Sequence, residues 1–120
     1  MVSGNWFITP HAVRKFMQIT GYEYNESLSR LLIISSTAKF VKVLPSGFSL
    51  YRQYFRRSTQ VREKRKQEGK VNNARTNLGL VIAPTNKEGQ LPQLVTVLYR
   101  NPYKATQKIQ QTICYLQNFE

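Results

Sequence analysis

The sequence predicts a single α+β domain, and three observations carry that prediction. Apolar residues recur at helical spacing near the two ends of the chain. Between those ends the pattern alternates at a period of two, or forms short β-branched runs, as strands do. The length of 120 residues leaves room for one core and no second. The predicted order is β-α-α-β-β-basic insert-β-β-α.

Each element has its own signal. Trp6-Phe7-Ile8 is a short apolar run that reads as a first strand. Thr9-Pro10 opens a helix: Thr is an N-cap, and Pro at the first helical position loses nothing by lacking an N–H. Val13, Phe16 and Met17 give that helix a buried face, and Gly21 closes it. Asn25 is expected to cap a second helix, with Glu26 in its first turn and Leu28, Leu31, Leu32 and Ser35 inside, to about Ser36. Residues 38–44 alternate, Pro45-Ser46-Gly47 reads as a turn, and residues 48–55 alternate again, which makes a hairpin. Leu78 to Ala83 is a third β run. Leu94 to Tyr99 is the most strand-like stretch and is expected at the sheet centre. Asn101-Pro102 stops it, and Ile109, Ile113 and Leu116 mark a C-terminal helix.

Composition narrows the chemistry. Hydrophobic residues are 41% and aromatics 12%, so a wholly disordered chain is excluded. All six acidic residues are Glu, which removes most ways of building a Mg²⁺ or Ca²⁺ site. One Cys and one His rule out a disulfide, a zinc cluster or a His-rich centre, so no metal or cofactor is expected. Cys114, between Ile113 and Tyr115, reads as a packed thiol. No apolar run approaches the ~20 residues of a membrane span, and residues 1–6 lack signal-peptide features. The expectation is a cytoplasmic protein with no membrane partner.

Against those six acids stand 18 Lys and Arg, a net charge of +12. A field of several kT over a small surface selects polyanions. From Arg52 to Arg75 there are nine cations and two acids, so +7 of the +12 lies in a fifth of the chain. The apolar pattern vanishes over residues 56–75. That run fits a solvated, mobile loop, and it fits an arm that grips phosphates. The candidate binding residues are Arg52, Tyr54, Arg56, Arg57, Arg62, Lys64, Arg65, Lys66, Lys70 and Arg75. Tyr51 and Tyr54, interleaved with arginines, could stack bases.

His11 falls in the first turn of the first helix, where the positive end of the helix dipole disfavours imidazolium. A neutral imidazole near pH 7 can act as a general base, and Arg14 lies one turn on along the same face. Base and guanidinium together are what metal-free RNA cleavage needs: one takes the 2′-hydroxyl proton, the other stabilises the charged phosphorane. A purely structural His11, bonded to its own helix or to a strand carbonyl, fits the same residues.

The Ile8–Phe16 segment (Ile-Thr-Pro-His-Ala-Val-Arg-Lys-Phe) resembles the opening of small phage and bacterial proteins related to RelE and BrnT toxins, within the barnase–EndoU–colicin–RelE grouping. Val95 to Arg100 resembles a late strand of such proteins. The resemblance implies one or two N-terminal helices packed on a curved antiparallel sheet, here of about four to five strands. It also implies metal-independent RNA cleavage on the open sheet face. His11, Arg14 and Thr96 match the motifs, Arg100 closes the strand, and Tyr51 joins them from the hairpin as catalytic candidates. The chain departs from the pattern at Gln18-Ile19-Thr20-Gly21, where an Arg usually closes the helix, and in its long basic insert.

The function expected is that of an RNA-binding, toxin-like endoribonuclease cleaving by acid–base transphosphorylation. The alternative is a non-catalytic basic module, such as a phage-type inhibitor, docking on nucleic acid or on an acidic nucleic-acid-handling enzyme. Expected partners are RNA ahead of DNA, and an acidic protein or antitoxin.

Overall fold

The computed structural model describes residues 6–70, 76–85 and 88–99. The order is β1 (Phe7–Ile8), α1 (Pro10–Thr20), α2 (Tyr24–Thr37), β2 (Lys39–Val43), β3 (Ser49–Phe55), α3 (Thr59–Gln67), β4 (Thr76–Ala83) and β5 (Gln93–Leu98). The fold is α+β, and the five strands form one open sheet in the order β1-β5-β4-β3-β2. The expected antiparallel sheet is in fact mixed, because β1 runs parallel to β5. A parallel pair needs a crossover, and the whole of the chain between residues 8 and 93 supplies it. The predicted C-terminal helix and Cys114 lie outside the described residues.

Helix α1 forms as its sequence dictates. The Thr9 hydroxyl accepts a hydrogen bond from the Ala12 N–H, Pro10 takes the first position, and Gly21 caps the end at φ 82°. Ala12, Val13 and Phe16 are buried against the sheet. The Thr9 hydroxyl also donates to the Leu94 carbonyl at 2.8 Å, so one side chain caps the helix and ties it to β5. Thr9→Ala should therefore lower stability by about 1–2 kcal/mol. A fall of several degrees in Tm would register it, and an unchanged Tm would count against this double role.

Helix α2 is capped two residues earlier than expected, at Glu23 instead of Asn25. Glu23 stands at its N-cap position without a side-chain bond, while the Ser27 hydroxyl donates to the Tyr22 carbonyl. Both helices cover one face of the sheet. Phe16, Leu31, Phe55, Leu78, Leu80, Ile82, Leu94 and Val97 form the main core there, closed at one end by Trp6. Leu44, Leu50, Val81 and Leu98 form a smaller cluster on the opposite face. The middle strand, β4, carries residues of both clusters, which is why it reads as an unbroken apolar run. It holds the central place expected of β5, which lies between β4 and β1.

Two irregularities break the simple alternation. The β2–β3 register shifts between Phe40 and Lys42, and the β4–β5 register shifts between Val81 and Ile82. The Pro45-Ser46-Gly47 turn forms as read: Gly47, at φ 89°, donates its N–H to the Leu44 carbonyl.

The basic insert contains an element that the apolar pattern did not announce. Ser58 caps α3, its hydroxyl accepting from the Val61 N–H, and Lys64, Arg65 and Lys66 lie in the last turn, where cations favour the helix dipole. The Ser58 N–H donates to the Thr20 carbonyl at 2.8 Å, so the start of α3 is fastened to the end of α1. No residue of α3 is fully buried. No described helix is long and apolar enough to cross a membrane.

Candidate nucleic-acid interface

The outward stripe of α1 carries His11, Arg14, Lys15 and Gln18. Thr9 as cap and Pro10 at the first position put His11 at the second, as the sequence implied. Its imidazole pKa is lowered from the ordinary 6.5, first by partial burial, then by the charges of Arg14 and Lys15. The direction is the one expected, but desolvation leads it. The i, i+4 spacing sets Lys15 one turn beyond His11 on the same stripe.

Beside this stripe lies α3. Val61, Arg62 and Arg65 are its half-buried side, and Lys64 and Lys66 its exposed one. A Cβ on Gly21 would collide with Val61 Cγ2 and would stand 2.8 Å from Ser58 Oγ. The close approach of the two helices therefore requires glycine at 21.

Where α1, α3 and the end of β5 meet, a cleft of ≈ 310 Å³ is lined by Lys15, Gln18, Ile19, Arg57, Val61, Arg65 and Tyr99. Among the described residues its three cations come from three separate segments, and no acidic side chain lines it. The Arg57 guanidinium sits 5.3 Å over the Phe55 ring. Burial lowers its pKa and Arg65 lowers it further, while Tyr99 acts in the opposite sense. Arginine is basic enough to remain cationic at neutral pH despite such a shift.

A second groove, of ≈ 300 Å³, runs between α2 and β3 past Arg30, Ile33, Tyr54 and Arg56. Glu26 holds Arg30 at 2.8 Å, with the guanidinium 4.0 Å over the Tyr22 ring. The consecutive residues Arg56 and Arg57 thus serve different depressions.

The other expected site residues are dispersed. Thr96 is 1% exposed and pairs with Val81, which belongs to the cluster on the face opposite α1, so it does not meet His11 or Arg14. Tyr51 is on the helix-covered face, its ring 4.9 Å from Trp6 and 5.5 Å from Phe40. That is an aromatic packing row. Arg52 lies on the opposite face, level with Lys39 on one side and Gly79 on the other. Arg62 donates to the Thr59 hydroxyl at 3.0 Å, and Lys70 pairs with Glu68 at 3.2 Å. Arg75 and Arg100 lie outside the described residues.

Lys15, Gln18 and Tyr99 were missed by sequence reasoning. The first had a signal, its i+4 spacing from His11. The other two become neighbours of Arg57 and Arg65 only through the docking of α3. Compared with family models, curated proteins and solved structures, the chain matches none of them.

Proposed function

We propose that this protein binds RNA through the face where α1 meets α3. The observation that carries the reading is the convergence of Lys15, Arg57 and Arg65 on one cleft with an aromatic residue and, among the described residues, no carboxylate. Arg14 on α1 and Lys64 and Lys66 on α3, the two helices that form the cleft, are exposed and add positive charge. Phosphates supply the affinity for such a surface, and cations from separate segments, which repel one another, are held together only by the fold. The resemblance of the Ile8–Phe16 segment is the support for RNA ahead of DNA. Fluorescence anisotropy with a labelled RNA tests the reading. Saturable binding that weakens in Arg57→Gln/Arg65→Gln supports it; no binding to RNA or DNA at low salt moves the target to an acidic protein.

A specific observation favours a second reading, cleavage of the bound RNA. Partial burial, with Arg14 and Lys15 beside it, lowers the His11 pKa and favours the neutral imidazole that a general base for the 2′-hydroxyl needs. Incubation with total RNA in EDTA separates the two readings. Under the cleavage reading wild type degrades RNA, and His11→Ala abolishes degradation with affinity almost unchanged, because a neutral imidazole adds little to phosphate binding. Intact RNA with the wild-type protein leaves binding alone.

His11 also gives a pH dependence that holds under both readings. Its folded pKa lies below the unfolded value of 6.5, so the unfolded chain takes up the proton first. Stability from this group is complete above pH 6.5, falls as pH drops below it, and levels off below the folded pKa. In His11→Gln this part of the fall should vanish. Unfolding curves for both proteins between about pH 4 and 7.5 provide the comparison, and parallel curves would contradict the assignment.

A further inference from the structure

We infer that the α1–α3 cleft seats one unstacked nucleotide, with its base against Tyr99, so that the protein selects single-stranded over duplex nucleic acid. The inference rests on the RNA-binding reading and names the form of nucleic acid that this site takes.

A cleft that only gathered phosphates would need only cations. This one offers other chemistry as well. Tyr99 lines it with 41% of its surface exposed. Ile19 gives an apolar wall, and the exposed Gln18 brings an amide that can both donate and accept at a base edge. The guanidinium of Arg57 is kept over the Phe55 ring. Arg65 is near enough to Arg57 to lower its basicity, and both line the cleft, so a phosphate bound there would meet two guanidiniums. Two guanidiniums, an aromatic ring and an amide in ≈ 310 Å³ match the parts of one nucleotide: phosphate, base face and base edge. Bases in a duplex are stacked on both faces and paired on their edges. They could reach the ring only by flipping out, at a cost of a few kcal/mol. Single strands stack on aromatic side chains without that penalty.

The test compares a fluorescein-labelled 12-nucleotide single-stranded RNA with the same sequence as a 12-base-pair RNA duplex, in EDTA, by anisotropy. The single strand should bind at least about tenfold tighter. Tyr99→Ala should weaken the single strand roughly 5- to 150-fold, the range measured when a base-stacking aromatic is removed, and leave the duplex unchanged. Tyr99→Phe should keep wild-type affinity. A second measurement needs no variant: adenosine 5′-monophosphate should displace the labelled strand at lower concentration than ribose 5-phosphate, which lacks the base. If strand and duplex bind alike, or both competitors act alike, the nucleotide seat is overturned while RNA binding stands. If neither RNA binds, the RNA-binding reading itself has failed.

Discussion

Between about 50 and 200 mM salt, the affinity of this protein for single-stranded RNA should fall roughly 300-fold. Each phosphate neutralised on a single strand releases counterions worth a slope of about −0.7 in log K against log salt. About six contacts are within reach of the face built by Lys15, Arg57 and Arg65 with Arg14, Lys64 and Lys66, so the slope should be near −4. Replacing Arg57 and Arg65 by Gln removes two of the six, and the slope should drop by about 1.4. The variant should therefore lie furthest below wild type at low salt and approach it as salt rises. A flat salt dependence would refute phosphate gripping, whatever the affinity. An unchanged slope in the double variant would move the interface away from the cleft.

Gly21→Ala is expected to unsettle both the fold and the binding face. Gly21 has φ 82°, a left-handed conformation that any other residue adopts at a cost of about 1–2 kcal/mol. The added methyl would also collide with Val61 Cγ2, and overpacking costs a further ~1–3 kcal/mol. A loss of about 2–5 kcal/mol is the expected total, a large fraction of a small domain's stability. Chemical denaturation measures it. Adding Val61→Ala should relieve the collision with Cγ2 and leave the backbone strain and the close approach to Ser58 Oγ, so the double variant should unfold between Gly21→Ala and wild type. Strict additivity of the two substitutions would show that 21 and 61 do not touch. Because the end of α1 is also the anchor of α3, the single variant should bind RNA more weakly even where it is fully folded.

The elements with local signals were legible in the sequence. Thr9, Pro10 and Gly21 define α1 to the residue, and Pro45-Ser46-Gly47 defines the hairpin, because caps and tight turns are decided by neighbouring atoms. Helix α3 was hidden because only Val61 in it is apolar, so periodicity had nothing to report; its Ser58 cap and Gly69 were the available clues. The placement of Thr96 failed for a different reason. Leu94 and Thr96 have the same parity, yet the bulge at Val95 puts them on opposite faces. A period-two reading cannot see an inserted residue. The cleft was half legible: its cations were visible as a basic run, but their meeting with Lys15 and Tyr99 depends on which helix the insert packs against.

The pairing of β1 with β5 has a consequence for how the chain is made. Phe7 pairs with Gln93, and the Thr9 hydroxyl bonds the Leu94 carbonyl across 85 residues of sequence. Helix α1 therefore emerges with the side of its Val13 and Phe16 stripe that faces β5 uncovered, because that strand is not yet translated. At ribosomal speeds of about 5–20 residues per second, that stripe waits roughly 4–17 s. Contacts so distant in sequence also slow the final collapse. The newborn chain is thus a basic, partly apolar segment in search of cover. It is in that interval, before β5 exists, that the uncovered stripe is most open to non-native contacts.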